Sequence, residues 1–244
     1  MLIVLPPSET KALGGSAAPL ALENLSFAKL NPIRASIAAD LVALSQDPEL
    51  AMATLKLGPR LAAEVDHNAE LAQSPTMPAI ERYTGVLYDA LGAADLDSRS
   101  RARLAVGSAL FGMIGANDPI PHYRLSASVR LPAADGSAVT TLKQRWGNAI
   151  SEVLATQGFV IDLRSGAYAN LGKVKGATTL RVLTADGKVV SHFNKHYKGL
   201  FARALAHATE IPTNAQEAVE IGRAAGFNLT LDDGGLTFHV PAND

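Results

Sequence analysis

The spacing of apolar residues along the chain predicts a series of alternating strands and helices. A short apolar run, 1–5, stops at Pro6 and Pro7, as a buried strand does. From Pro32 to Leu44, apolar residues recur every three or four positions, which is typical of an amphipathic helix. The same reasoning predicts helices over 48–57, 59–73, 80–92, 98–107, 141–157, 195–208 and 215–225. Strands are predicted over 123–129, 159–165, 178–183 and 189–193, and in a hairpin over 227–240.

Turn and capping residues separate these elements. Turns are predicted at Asp135-Gly136, 185–188 and Asp233-Gly234, the last two within hairpins. Asn214, with Glu217 three residues later, predicts a capped helix start. The pattern contains neither a repeat nor a linker. We therefore expect one α/β domain of α+β character over 1–244, with a mixed sheet, rich in antiparallel pairs, and many surrounding helices.

Composition narrows the class of protein. Of the 244 residues, 48% are hydrophobic and 18% are charged, as in globular proteins. No run approaches about 18 consecutive apolar residues, so we expect no membrane span. The first residues lack the basic region of a secretory signal, and we expect a cytoplasmic location. The absence of cysteine excludes disulfides, thiolate metal sites and a thiol nucleophile.

Charge is unevenly distributed, although the formal net charge is only −1. Residues 143–203 contain ten Lys or Arg and three Asp or Glu, a local excess of seven positive charges. The rest of the chain has eight more acidic than basic residues. This asymmetry is compatible with a polyanion partner if the fold gathers the basic residues on one surface.

The stretch 54-TLKLGPRLAAEV-65 has the form of a helix-hairpin-helix, in which Gly-Pro-Arg joins two helices. Gly58 leaves room for a phosphate to approach the backbone, and Pro59 suits the first position of a helix. The free N–H groups of the next turn favour an anion, and Arg60 adds a positive charge. Such binding does not depend on base sequence. The alternative is an ordinary corner between two helices.

Polar side chains follow several of the predicted strands, where α/β folds place their chemistry. After the first strand, Glu9 is a candidate acid or base and Lys11 a candidate anion clamp. The alternative is a set of surface ion pairs, each contributing less than about 1 kcal/mol. The side chains expected to share a cleft at these strand ends are Ser8, Glu9, Lys11, Tyr123, Arg124, Asp162 and Arg164.

The helix predicted at 195–208 begins with a basic group. Residues three apart share a helix face, which brings Lys195 next to Lys198. Arg203 follows on the same helix, and Gly199 permits close approach of a phosphate or carboxylate. A solvated basic helix face is the alternative. The candidate DNA-phosphate contacts are Gly58, Arg60, Lys143, Lys195, Lys198, Gly199 and Arg203.

The sequence contains no recognisable metal, nucleotide-loop or hydrolase motif. His192 and His196 have a metal-ligand spacing only if both lie on one helix, and no third ligand is near them. Gly-x-Gly-x-x-Gly after a strand, Gly-x-x-x-x-Gly-Lys-Ser/Thr, Gly-x-Ser-x-Gly and His-Glu-x-x-His do not occur. We therefore predict neither a metal nor a cofactor.

Six stretches taken together resemble the YaaA-like peroxide-stress family. In family order, they are MLIVLPPSETK (1–11), YTGVLYDAL (83–91), GSALFGMIGANDPIPHYRLSAS (107–128), RWGNAI (145–150), VIDLRSGAY (160–168) and SHFNKHYKGLFAR (191–203). The positions that match the family are Ser8, Tyr83, Thr84, Gly85, Tyr123, Arg124, Trp146, Gly147, Tyr168, Lys195, Gly199 and Arg203. The resemblance adds Tyr83 and Tyr168 to the expected cleft.

The resemblance implies a cytoplasmic α/β protein of unusual fold that binds DNA through a positively charged cleft and a helix-hairpin-helix. It also implies a role in the response to hydrogen peroxide, limiting the DNA damage that free iron causes, with no reaction attached. This chain departs from the family at two places. Some members have Lys where this chain has Glu9, and other members lack the Gly58-Pro59 pair.

Three functions remain open from the sequence. The first is a stress protein that binds DNA phosphates through the hairpin and the basic block. The second is an enzyme that acts on a nucleotide or nucleobase, or binds another small anionic ligand, in a cleft built from Glu9, Arg124, Asp162 and Lys195. The third is an iron-sequestering protein, against which the lack of cysteine and of paired His and carboxylate spacings argues.

Overall fold

The structure is a computed structural model that describes residues 1–184, 187–188, 193–232 and 235–240. Its strands are β1 Leu2–Leu5, β2 Ala17–Pro19, β3 Pro75–Pro78, β4 Leu104–Ser108, β5 Gly112–Gly115, β6 Pro119–Ile120, β7 Arg130–Pro132, β8 Val139–Thr141, β9 Val160–Asp162, β10 Thr178–Leu183, β11 Leu229–Asp232 and β12 Gly235–His239. Its α-helices are α1 Asn31–Leu44, α2 Pro48–Leu55, α3 Ala63–Ala69, α4 Ala79–Arg82, α5 Val86–Leu91, α6 Ser98–Arg101, α7 Leu142–Trp146, α8 Ala149–Ala155, α9 Gly166–Ala169, α10 Asn194–His207 and α11 Ala215–Ala224. Short 3-10 helices lie at Leu22–Asn24, Ala28–Leu30, Pro59–Leu61 and Ala93–Asp95.

The main sheet is mixed, with strand order β11-β12-β10-β9-β1-β4-β5. The ladders from β12 through β10, β9 and β1 to β4 are parallel, while β11–β12 and β4–β5 at the two edges are antiparallel. Ile3, Val4 and Leu5 of β1 are fully buried, as is most of β4. Strands buried on both faces are expected at the centre of a parallel sheet covered by helices.

The register of the central strands aligns their carboxyl ends. Val4 of β1 lies opposite both Ala105 of β4 and Asp162 of β9. The loops that begin at Pro6, after Ser108 and after Asp162 therefore leave the sheet at one edge. This is the edge where ligands bind in open α/β sheets.

Helices and two small sheets surround this core. The helix α10 packs against α5 and α11, and it also contacts β10. The strands β2, β3 and β6 form one small sheet, and β7 and β8 form another. The buried Arg34 and Arg82 donate hydrogen bonds to loop carbonyls, among them Phe111 O from Arg34 and Ala12 O from Arg82. These guanidinium groups hold the segments that lead into the site.

Several sequence predictions are confirmed. The mixed α/β architecture is present, with antiparallel pairs at the edges of the main sheet and in the small sheets. The Asp135-Gly136 turn joins β7 and β8, and Gly136 has a φ of 72°. Asn214 accepts a hydrogen bond from the N–H of Glu217 at 3.0 Å and so caps α11. The elements β1, β10, α1, α2, α10 and α11 lie where apolar spacing predicts them.

Two predicted elements, a strand and a helix, are wrong. The segment 123–129 is irregular rather than a strand, although Tyr123 and Leu125 are buried. The helix predicted over 98–107 ends at Arg101, and Leu104–Ser108 forms β4.

The helices predicted over 80–92 and 141–157 are each two helices. They break at Gly85 and Gly147, whose φ values of 96° and 50° lie outside helical geometry. The segment predicted as a helix over 59–73 begins as a 3-10 turn, and its α-helix spans Ala63–Ala69.

Some predictions fall wholly or partly outside the described residues. These are the turn at 185–188, the strand at 189–193, the ligand candidate His192 and the Asp233-Gly234 turn. On either side of that last turn, β11 and β12 pair antiparallel, as the hairpin prediction requires. In the part of the chain that the structure describes, no helix is long and apolar enough to cross a membrane.

Candidate functional site

The loops after β1 and β9, together with the starts of α5 and α10, form what we call the strand-end cleft. It consists of two adjoining depressions of about 520 and 250 Å³. Both are lined by Pro6, Pro7, Glu9 and Lys195. The remaining polar side chains of the larger depression are Arg164, Ser165, Tyr168, Asn194 and Lys198, and those of the smaller are Ser8, Thr10, Thr84 and Tyr88. Residues far apart in the sequence thus share one cleft.

Glu9 lies between partners from two other segments. Arg124 Nη2 lies 3.1 Å from Glu9 Oε2, and Arg124 Nη1 donates to the Glu9 carbonyl oxygen at 2.8 Å. The Tyr168 hydroxyl donates to Glu9 Oε1 at 3.4 Å. Burial, and next the charge of Glu9, raise the pKa of Tyr168. The carboxylate therefore fixes one wall of the cleft and offsets part of its positive charge.

A chain of buried hydroxyl groups lies behind this wall. The hydroxyls of Tyr83 and Tyr123 are 2.7 Å apart, and the Tyr123 hydroxyl is 2.8 Å from Ser108 Oγ. Burial raises the pKa of Tyr83 to about 12 and raises that of Tyr123 well above its ordinary value. Both phenols are therefore protonated at neutral pH and can donate as well as accept hydrogen bonds. Ser108 Oγ also accepts the N–H of Phe111, which orients this end of the chain of hydroxyls.

Lys11 lies against the same tyrosines. Its Nζ is 4.3 Å from the ring centroid of Tyr123 and 5.5 Å from that of Tyr83, and it donates to the Ser8 carbonyl at 3.2 Å. Burial lowers the pKa of Lys11 from 10.5 to about 8, the nearby Glu9 opposes this shift, and Arg124 adds to it. A lysine of this kind is partly a neutral amine near neutral pH.

Asp162 and Arg164 form a buried ion pair at the end of β9. Arg164 Nε donates to Asp162 Oδ1 at 2.9 Å, and Nη2 donates to Oδ2 at 2.7 Å. Nearby, Lys198 donates to the Leu163 carbonyl at 3.1 Å. Burial lowers the pKa of Lys198, and Asp162 opposes that shift. Asp162 and Arg164 have the geometry of a structural pair, and Arg164 and Lys198 both line the cleft.

The Gly58-Pro59-Arg60 segment is exposed and lies between α2 and α3. Gly58 precedes the 3-10 turn Pro59–Leu61, and a Cβ at Gly58 would meet nothing within 4 Å. Downstream, Asn68 of α3 donates to the Arg124 carbonyl at 2.9 Å and accepts the Arg124 N–H at 2.8 Å. The segment that leads from the exposed bend is thus fastened to the cleft.

A Glu–His pair lies next to this connection. Glu64 Oε2 is 3.0 Å from His122 Nε2, and the His122 ring centroid is 4.4 Å from that of His67. Burial raises the pKa of Glu64, but the hydrogen bond to His122 and the charges of His122, Lys11 and Arg124 together outweigh burial and lower it. The Glu64 carboxylate, at the start of α3, is therefore engaged in a hydrogen bond with His122.

Comparison with known proteins identifies the family. The family described as "Peroxide stress protein YaaA" matches residues 1–230 of the chain. The chain belongs to the YaaA peroxide stress protein family. The resemblance inferred from the six sequence stretches is thereby confirmed.

This YaaA family member is similar to proteins of Corynebacterium and Streptomyces species. A UPF0246 protein of Corynebacterium efficiens is 52% identical over 239 residues, 96% of each chain. One of Corynebacterium glutamicum is 54% identical over 232 residues, 93% of this chain and 94% of that one. A UPF0246 protein of Streptomyces coelicolor is 42% identical over 246 residues, 95% of this chain and 93% of that one. These similarities extend over nearly the whole length of the chain.

Three residues predicted to contact DNA lie away from this cleft. Arg203 is eight residues beyond Lys195 on α10, about 12 Å along the axis, and pairs with Asp95 at 3.0 Å. Gly199 is buried, and a Cβ there would overlap the Leu87 carbonyl, so its small size serves the packing of α10 on α5. Lys143 is exposed on α7, and none of its contacts within the described ranges joins it to the cleft.

Sequence reasoning also missed residues that build the YaaA site. Ser108 was not predicted because β4 itself was not, and the end of that strand carries the hydroxyl. Glu64 and His122 meet across 58 positions, a pairing that no local pattern indicates. Trp146, one of the positions that match the family, is buried and donates from its indole N–H to the Ala109 carbonyl at 3.0 Å. Among the described residues, no group of three or more His, Cys, Asp or Glu is placed to hold a metal ion.

Proposed function

We propose that this member of the YaaA family binds DNA without base-sequence preference, through the exposed Gly58–Arg60 bend and the strand-end cleft. In the cytoplasm, such binding would limit the damage that peroxide and iron cause to DNA. The basic groups for it are Arg60 at the bend and Lys195, Lys198 and Arg124 at the cleft. Phosphate contacts of this kind position a protein on DNA without reading its sequence.

One observation carries the proposal. The paired hydrogen bonds between Asn68 and the backbone of Arg124 fasten α3 to the cleft. The bend lies eight residues before Asn68 along the chain, and this connection supports the inference that the bend and the cleft belong to one molecular surface. Its two basic regions can be contacted by a single extended polyanion.

Binding of a fluorescent duplex at low salt, followed by anisotropy, tests the proposal. Arg60→Ala and Lys195→Ala should each weaken binding severalfold, because each removes a charge-assisted phosphate contact. Lys29→Ala, which removes an exposed lysine from the 3-10 helix Ala28–Leu30, is the matched control and should bind like the wild type. Absence of binding by the wild type, or equal effects of all three changes, would refute the proposal.

A second candidate function is recognition of a nucleotide or nucleobase in the same cleft. It is favoured by the meeting of Glu9, Arg124 and Lys195, since clefts with several convergent ionisable groups commonly hold small ligands. Calorimetric titration with nucleoside mono- and diphosphates tests it. Binding that is lost in Lys195→Ala supports it, and absence of heat at millimolar ligand contradicts it.

A further inference from the structure

The proposed contacts with DNA phosphates give no role to the amine of Lys11, which lies near the cleft. Its amine lies over the face of Tyr123, and its backbone pairs with that of Tyr83 in an isolated β-bridge. Within the described residues, its hydrogen-bond acceptor is the Ser8 carbonyl, and it forms no ion pair. The side chain is thus held in one place without a carboxylate partner to neutralise it.

We propose that the Lys11 amine is a nucleophile that forms an imine with an aldehyde in DNA, the ring-opened sugar of an abasic site. This inference rests on the proposed DNA-binding function and names a substrate for the same surface. Lys11 is partly exposed, and its amine donates to the carbonyl of Ser8, which lines the cleft, so the amine lies next to the cleft surface. Arg124 and Lys195 stand at the cleft to hold the phosphates that flank such a sugar.

The environment of Lys11 favours the reactive form of the amine. Burial is the main cause that lowers its pKa to about 8, and the facing charges of Arg124 and Arg82 act in the same direction. Glu9 and Glu64 oppose the shift, and the neighbouring phenols of Tyr83 and Tyr123 stay protonated. At pH 7, roughly one Lys11 amine in ten is then neutral, whereas fewer than about one in a thousand amines of an ordinary lysine are neutral. Lysines activated in this way form Schiff bases with carbonyl substrates.

The step is balanced without any further reactant. The amine nitrogen attacks the C1′ carbonyl carbon and forms a C–N bond. The C–O bond of the resulting carbinolamine then breaks, and both hydrogens of the amine leave with that oxygen as water. The product is an imine that joins Nζ to C1′, and it is converted to a stable secondary amine when borohydride delivers hydride to the carbon.

Borohydride trapping on a duplex with one abasic site tests the inference with the intact protein. The wild type and Lys29→Arg should give a covalent protein–DNA product of equal yield, and mass spectrometry should place the adduct on Lys11. Lys11→Arg keeps the charge but lacks the nucleophilic amine, and it should lower the yield at least tenfold while still binding an intact duplex. For wild type, the trapping rate should rise with pH to a half-maximum near 8, the pKa of the amine.

The outcomes separate this inference from the proposed function. Intact-duplex binding without trapping, or trapping that persists in Lys11→Arg, would overturn the assignment of Lys11 and leave DNA binding standing. Trapping of glycolaldehyde phosphate at Lys11 but not of abasic DNA would overturn the substrate. Failure to bind the intact duplex, with trapping retained, would instead overturn the proposed function. Unchanged urea denaturation of Lys11→Arg excludes unfolding, and Lys11→Met gives a second variant without an amine.

Discussion

Glu9 and Arg124, 115 positions apart, are joined twice in the strand-end cleft: Oε2 of Glu9 lies 3.1 Å from Nη2 of Arg124, and the Glu9 carbonyl accepts from Nη1 at 2.8 Å. This relationship places a negative charge in the same depression as the ammonium groups of Lys195 and Lys198. If DNA binds as proposed, this carboxylate lowers the positive charge that a phosphate would meet there.

Removing that negative charge should strengthen DNA binding. In Glu9→Gln, the Arg124 guanidinium gains freedom to contact a phosphate, and repulsion of the polyanion falls. We expect affinity for duplex DNA to rise about twofold to fivefold, which corresponds to an exposed-charge interaction below about 1 kcal/mol. Anisotropy titration measures it, with Glu220→Gln on the exposed side of α11 as the control. Weaker binding by Glu9→Gln would contradict the proposed path of the DNA.

The Asp162–Arg164 pair should contribute to stability far more than an exposed pair. Asp162→Asn leaves Arg164, whose side chain is 1% exposed, without its counter-charge. We expect the free energy of unfolding in urea to fall by about 3–5 kcal/mol. In the control, Glu81→Gln removes the 44% exposed partner of Arg101 and should cost less than about 1 kcal/mol. Equal losses in the two variants would show that burial of the pair does not set its contribution.

The hydroxyl of Tyr123, as well as its ring, should contribute to the free energy of unfolding. Tyr123→Phe leaves the hydroxyls of Tyr83 and Ser108 without their shared partner inside the core. The cost of buried unsatisfied groups predicts a loss of about 1–3 kcal/mol of unfolding free energy. Tyr168→Phe, which removes a longer hydrogen bond from a half-buried hydroxyl, is the control and should lose clearly less. A neutral Tyr123→Phe would mean that water or rearrangement satisfies both groups.

The pKa of Lys11 predicts how stability changes with pH. Between pH 8 and 10.5, the unfolded chain holds a proton on this lysine that the folded protein has released. The free energy of unfolding therefore gains a contribution that rises with pH through this window and is lost as pH falls toward 8. The difference in urea stability between wild type and Lys11→Met, measured from pH 7.5 to 9.5, should rise accordingly. A flat difference would place the pKa of Lys11 at its ordinary value.

Local sequence signals predict those elements whose stability is decided locally. Apolar spacing correctly predicted α1 and α10, and the Asn214 cap correctly predicted the start of α11. Apolar spacing did not predict β4, a short apolar strand that follows an Arg-rich helix. Both faces of β4 are buried, so its residues do not alternate between apolar and polar. Apolar spacing also failed at 123–129, where alternate burial arises from irregular backbone held in part by the Asn68 side chain.

The candidate site was predictable only where topology brings strand ends together. Glu9 and Arg164 could be placed in one cleft because they follow β1 and β9, which pair in parallel in the main sheet. The partners of each group could not be read from the sequence, since Arg124 meets Glu9, and Tyr83 meets Tyr123, only through the three-dimensional fold. The role of Gly199 likewise depends on α5, which packs against it.

The salt dependence of duplex affinity tests the central claim most directly. If the bend and the cleft contact phosphates, the logarithm of the binding constant falls linearly with the logarithm of salt concentration, by about 0.9 per phosphate contacted. Arg60→Ala and Lys195→Ala should each make that slope shallower by about 1, and the double variant by about 2. No binding at low salt, or a slope that neither substitution changes, would contradict the account.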